Sequence, residues 1–303
     1  MGYDHLVVAP GIQLDWDRVP GIAAALETPS VSSNYRFDLT ARTWERIRAL
    51  RSGTAVFTMP GGLIKCAGAP QKIAYLAADY WRQQGVLDQI RVVLVLPTPG
   101  MFGVTEIADE LEKVVARYGI EVHKNSELSS VDPDGRRATI RDNAEGTSQE
   151  IDYDFMHVVP PQSAPDWVKT SPLSDPDNPA GYVQVDKHTL QHTRYGNVFT
   201  LGDAGSTPNS KTGAAIRKQA PVLVKNLQAS LAGQPLTASY GGYASCPLTT
   251  SRDKMLLAEF DYTMKPTPSI PVIDTTKDQR DMWYLKRYGL PFLYWNAILT
   301  GRA

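Results

Sequence analysis

The stretch GTAVFTMPGGLIKCAGAPQKIAYLAADYWRQQG, residues 53 to 85, decides the fold. Its first eight residues are an apolar run rich in β-branched and aromatic side chains, closed by proline, which is the signature of a buried strand. From Ala69 onward the apolar residues recur at helical spacing, with Pro70 in the first turn, where its missing N–H costs nothing. Between strand and helix sits Cys66, one of only two cysteines in the chain. The positive end of the helix and the adjacent Lys65 would both favour its thiolate.

Outward from this unit the alternation continues. IRVVLVLPTPG (90–100) reads as a strand, TEIADELEKVVARYG (105–119) as a helix and IEVHKN (120–125) as a strand. Strands alternating with helices of this length predict a doubly wound α/β domain with a parallel sheet and right-handed crossovers. YDHLVVAPG (3–11) and YDFMHVVPPQSAP (153–165) share a form: Tyr-Asp, an apolar run holding a histidine, then proline. This echo reads as two equivalent crossings between domains. Further on, NVFTLGD is a strand, AGSTPNSKT a polar turn and GAAIRKQAPVLVKNLQASL (213–231) a helix. Asp203, after the strand and before the helix, either caps the helix or accepts from a ribityl or ribose hydroxyl, while the free amides of the helix face a phosphate or a flavin edge.

Composition narrows the function classes. A chain of 303 residues with 42% hydrophobic and 21% charged content suits an ordinary globular core. A net charge of −1 gives no basic stripe, so no nucleic-acid partner is expected. No apolar run reaches the roughly 18 residues a membrane span requires. The two cysteines form no C-x-x-C pair, which argues against a zinc site or a thioredoxin-type dithiol. His5 and His157 lie in apolar runs and read as hydrogen-bonded core imidazoles, and His188 and His192 lack a third ligand, so no metal is expected.

The motifs IKCAGAPQKIAYLA, FGVTEIADEL, DFMHVVPPQSAPDWVKTSPL, NVFTLGDA, SKTGAAIRKQAP, YGGYASCPLTT and PFLYWNAILTG, in this order, resemble two-dinucleotide-domain flavoproteins of the disulfide-reductase superfamily. More narrowly, the chain is similar to sulfide:quinone oxidoreductases of the mitochondrial-like type. The resemblance implies an α/β fold, an incomplete two-dinucleotide-binding-domain flavoprotein with a C-terminal membrane-associating segment. The expected regions are 1–35, a remnant of the FAD domain; 36–165, a second dinucleotide-binding-like domain; 166–235, a return to the FAD domain; and 236–303, the quinone and membrane segment. It implies an enzyme that oxidises hydrogen sulfide, passes the sulfur to a small acceptor such as glutathione, and sends two electrons through FAD to quinone. Cys66 takes the place of a redox cysteine of that family. Ala9, Gly11, Gly202, Asp203 and Lys211 are the cofactor-binding positions, with Lys211 near the isoalloxazine end.

Two departures stand against it. The resemblance sets the partner cysteine just after Gly202-Asp203, where this chain has Ala204 and Gly205; Cys246 reads as structural. The chain also contains no G-x-G, so the pyrophosphate turn of the FAD domain is missing, either through truncation or because a separate chain supplies it. A type II NADH dehydrogenase shares the superfamily plan but needs such a turn after GTAVFTMP. The alternative function is therefore a non-catalytic family member or subunit without bound flavin.

The segment DMWYLKRYGLPFLYWNAILTGRA (281–303) mixes aromatics with basic residues. By periodicity it is either a headgroup-level segment or a core helix. The resemblance implies the first, at the cytoplasmic side of a bacterial membrane or at the inner mitochondrial membrane, with Phe260, Phe292 and Trp295 as candidates to line a quinone path.

Overall fold

A computed structural model describes residues 2–270 and 272–302. Met1, Pro271 and Ala303, and with them the extreme ends of the expected 1–35 and 236–303 regions, lie outside the described residues. The chain opens with β1 (Leu6–Val8), β2 (Gln13–Leu14), the short helix α1 (Ile22–Leu26), β3 (Val31–Ser32) and α2 (Thr40–Ala49). The alternating stretch follows as β4 (Gly53–Thr58), α3 (Ala69–Gln83), β5 (Ile90–Val95), α4 (Thr105–Tyr118) and β6 (Glu121–His123). Next come β7 (Ser126–Asp132), β8 (Arg137–Asp142), β9 (Ser148–Asp152), β10 (Phe155–His157) and β11 (Gln162–Ser163). The last part holds α5 (Asp166–Lys169), β12 (Val198–Thr200), α6 (Gly213–Leu231), β13 (Ala244–Thr249), β14 (Met255–Phe260), α7 (Arg280–Tyr284) and α8 (Leu290–Leu293), with π-helical turns at 285–289 and 294–298.

The central sheet is parallel in the order β3-β10-β4-β5-β6. The central strands β4 and β5 are apolar along most of both faces because both are covered. Alternate residues divide as the pleat requires. Ala55, Phe57, Val92 and Leu94 face α3 and α4, where they pack with Trp81 and Leu111. Val56, Val93 and Val95 face the other way, onto Ile22, Leu26, Leu128 and Ile140. The doubly wound reading places helices on both faces; here the second face is covered mainly by the antiparallel meander β7-β8-β9. That stretch is amphipathic over short runs with about two thirds of its residues polar, which gives little apolar signal to read. Residues 22–32, expected within the first region, also belong with this sheet, because Val31–Ser32 pairs with β10 and Ile22 and Leu26 are buried beneath it.

The echoed segments do the same job in two places. β1 pairs in parallel with β12, and β10 with β4. The residues following each then meet, since β2 and β11 pair antiparallel through Gln13–Ser163 and Leu14–Gln162. The hairpin β13–β14 lies between two layers. Ala244, Cys246 and Leu248 join the core under α3, while Met255 and Leu257 meet Met282 of α7.

Candidate active site

Cys66 sits in the turn between β4 and α3 with φ +54°, the left-handed region that non-glycine residues avoid. The turn is pinned on several sides. The Cys66 backbone N–H donates to Lys211 O at 2.9 Å, Lys65 N–H donates to Gln162 Oε1 at 2.9 Å, and Tyr35 Oη donates to Lys65 O at 3.0 Å. Gly68 brings the start of α3 against β13 so closely that a Cβ there would stand 2.7 Å from Cys246 Sγ.

That approach puts the two cysteines in contact, Sγ to Sγ 3.8 Å, across 180 residues of sequence. Cys246, which the sequence reads as structural, stands here against Cys66, so a second thiol, absent from the Ala204-Gly205 turn, reaches this site from the hairpin. Lys72 Nζ donates to Cys66 Sγ at 3.3 Å. The hydrogen bond from Cys246 lowers the Cys66 thiol to about 5, with Lys72 reinforcing it against the opposing effect of burial. Cys246, fully buried, is pushed up by the same contact and keeps its proton. Lys65, expected to provide the cation, points over the Tyr35 ring instead. Helical geometry explains the exchange: Lys72 lies one turn inside α3, on the face that looks back over the turn. Lys286, half-buried, donates to Thr249 Oγ1 at 2.5 Å, and burial followed by the nearby Lys72 lowers its pKa.

Cys66 lies on the wall of a cavity of about 1290 Å³. At one end stand Asp203 and Lys211, with the N-terminus of α6 at Thr212 to Ala214. Burial raises the pKa of Asp203, and its carboxylate accepts no hydrogen bond among the described residues. Lys211 is 3% exposed, donates to Gly205 O at 2.8 Å, rests 3.9 Å from the Tyr182 ring centre and is lowered to about 8 by burial. Thr212 caps α6 by accepting from Ala215 N, so the cap of that helix is Thr212 and not Asp203. Gly202, at φ +74°, makes the bend that aims Asp203 inward. Gly11, at φ +81°, turns the chain after β1, and Ala9 is exposed there; neither lines the cavity.

The opposite end is walled by the C-terminal segment, with Leu290, Leu293, Trp295 and Ile298. Of the three aromatic candidates, only Trp295 lines this space. Phe260 is in the core, edge-on to Phe102 at 5.5 Å, because the inward face of β14 carries it under α3. Phe292 is 70% exposed and points outward. Among the histidines, His157 is buried, accepts from Asn34 N–H at 2.9 Å and stacks on Phe57; His188 and His192 each meet a backbone carbonyl, of Tyr240 and of Leu173. Sequence reasoning missed Lys72, Lys286, Tyr35 and the role of Cys246. Only Lys72 had a local signal, as a cation in the first turns of the helix after Cys66.

No family model matches the chain. Proteins named sulfide:quinone oxidoreductase, mitochondrial, are 42% identical over 99% of this chain in Dictyostelium discoideum and 38% identical over 100% of it in Schizosaccharomyces pombe. The chain spans about two thirds of their length, 66% and 67%. The crystal structure of the sulfide:quinone oxidoreductase from Aquifex aeolicus matches its fold with a TM-score of 0.77 at 17% identity, over 97% of this chain and 69% of that one. Identity at this level over the whole chain, together with the shared fold, shows that the chain belongs to the sulfide:quinone oxidoreductase family.

Proposed function

We propose that the chain oxidises hydrogen sulfide at the Cys66–Cys246 pair, with FAD as electron acceptor and a quinone as the final one. The observation that carries this reading is the 3.8 Å approach of two thiols of opposite protonation preference beside Lys72. In the oxidised pair one S–S bond joins them. Hydrosulfide opens that bond, so that one cysteine carries a new S–S bond to the incoming sulfur and the other departs with the electron pair as a thiolate. Lys72 and the Cys246 contact stabilise negative charge on Cys66, and a thiol of lower pKa is the better leaving group. The persulfide is therefore assigned to Cys246 and the thiolate to Cys66. A small sulfur nucleophile then takes the outer sulfur; the electron pair of that S–S bond stays on Cys246, which takes up a proton and returns to the thiol beside the Cys66 thiolate, so that the reduced pair holds the two electrons the cycle sheds.

The residues at the inner end of the cavity fit the ring and ribityl end of FAD. The unpartnered Asp203 carboxylate suits a hydroxyl donor, and Lys211 with the α6 N-terminus suits an electron-rich ring edge. The chemistry FAD supplies when bound is acceptance of two electrons and their delivery onward. Trp295 and its leucine neighbours at the other end suit an apolar quinone ring. Tyr284, Tyr288, Phe292 and Trp295 are exposed, and this supports attachment of the C-terminal segment to a membrane surface. No described helix is long and apolar enough to cross a membrane. The names of the relatives favour the mitochondrial of the two expected membranes. The β2–β11 pairing supports a division into two α/β bodies, with a first boundary nearer residue 15 than 35.

A second reading, a subunit that holds no flavin alone, is favoured by the exposed turn after β1, where Ala9 and Pro10 stand without a glycine-rich cradle. Visible absorbance of the purified chain with FAD, before and after sulfide, separates the two. A bound flavin that bleaches with sulfide, and fails to in Cys66→Ala, supports the enzyme. A protein that takes up no FAD supports the subunit.

A further inference from the structure

A second cleft, of about 630 Å³, opens where α3, α4, the turn between β13 and β14, and α7 meet. Five cations line it: Arg82, Arg117, Arg252, Lys254 and Arg280. Their carboxylate partners are fewer. Asp79 is buried and already accepts from Arg82, Gln83, Tyr118 and the Arg252 backbone N–H, which fixes the floor of the cleft. Asp253 holds Arg280 at 2.8 Å and Asp278 holds Arg117 at 2.7 Å. Among the described residues the side chains of Arg252 and Lys254 have no hydrogen bond or ion pair, and the only carboxylate Lys254 feels, Asp253, is already held by Arg280. Arg82 and Arg117 are also pre-oriented, each guanidinium lying 4.9 Å from the Tyr118 ring centre.

Like charges gathered from four elements repel unless an anion joins them. Guanidinium forks match the oxygens of a phosphate. Trp283 lines the same cleft, and the helix bearing Arg280 and Trp283 runs on into the exposed Tyr284, Tyr288 and Phe292. Tryptophan beside arginine and lysine is the composition of a site at headgroup depth.

We infer that this cleft binds the phosphate of an anionic membrane-lipid headgroup and so orients the aromatic segment on the membrane. The inference rests on the membrane-surface reading above. The test is flotation of the full chain with neutral phosphatidylcholine vesicles and with vesicles containing phosphatidylglycerol, for wild type and Arg252→Glu/Lys254→Glu, two surface changes away from the thiol pair. Wild type is expected to bind the anionic vesicles about tenfold more strongly at low salt, each basic side chain near the surface adding to the attraction. The double variant is expected to lose that preference, keep its circular dichroism and still bind neutral vesicles. Arg252→Gln/Lys254→Gln should fall between. Equal binding to both vesicle types, or a preference unchanged in the variants, overturns the cleft's role and leaves the membrane reading standing. No binding to either overturns both. A thermal midpoint raised by inorganic phosphate in wild type but not in the variant, without a vesicle preference, assigns the cleft to free phosphate compounds and overturns the lipid.

Discussion

Cys66 is held in an unfavourable backbone conformation by its own bond to Lys211 and by the bonds of the adjacent Lys65 to Gln162 and Tyr35, and its sulfur is aimed at Cys246 and Lys72. A non-glycine residue in this region costs on the order of 1–3 kcal/mol, offset only by surroundings that over-determine it. The consequence is chemical: a partner proton and an ammonium both stabilise the Cys66 thiolate. Alkylation of Cys66 by iodoacetamide should therefore show a pH midpoint near 5. In Cys246→Ala the midpoint should rise by about a unit or more, because the larger of the two favourable contacts is gone. Lys72→Met should raise it as well, by removing the charge at 3.3 Å. A profile unmoved by both substitutions would show that neither neighbour tunes the thiol. The position of Cys66 between a strand and a helix end was legible in IKCAGAPQK; its true partners were not, since Cys246 lies in an apolar strand with nothing nearby to mark it.

Among the elements, the packing of α3 on the hairpin β13–β14 does most to build the site. Gly68 permits it, as a Cβ there would meet Leu248 Cδ2 at 2.2 Å and Cys246 Sγ at 2.7 Å. Gly68→Ala should destabilise the fold by ~1–3 kcal/mol through overpacking and slow closure of the Cys66–Cys246 bond. A urea denaturation midpoint and the rate of thiol loss under mild oxidant check the two effects. An unchanged oxidation rate would mean the helix start can shift without moving the thiols apart. The C-terminal segment behaves differently, because its aromatics pack on little. Phe292→Ala should leave stability within about 0.5 kcal/mol yet weaken vesicle binding. The strands and helices from 53 to 125 were readable from apolar periodicity because both faces of a parallel sheet are buried. The meander 126–152 was not, as its half-exposed strands alternate over runs too short to stand out.

For the molecule as a whole, function depends on closure over long sequence distances. The two crossings at β2 and β11 bring the Asp203 and Lys211 end to the Cys66 turn, where Cys66 N–H meets Lys211 O, and the hairpin returns Cys246 and Lys286 to the same cavity. Long ordered motifs made the family legible from the chain alone. That Cys246 meets Cys66 is a property of the folded molecule, set by the register of β13 and β14 and not by any spacing in the sequence. If Cys66 and Cys246 form one redox pair that handles sulfide, the bond between them is present in the oxidised protein and sulfide opens it. The most direct measurement is non-reducing peptide mass mapping of the mildly oxidised protein before and after sulfide. The prediction is a Cys66–Cys246 linked peptide that sulfide converts to a Cys246 peptide carrying one extra sulfur atom and a free Cys66 peptide. Oxidised protein in which the two peptides stay unlinked, or a linked peptide that sulfide leaves unchanged, would contradict it.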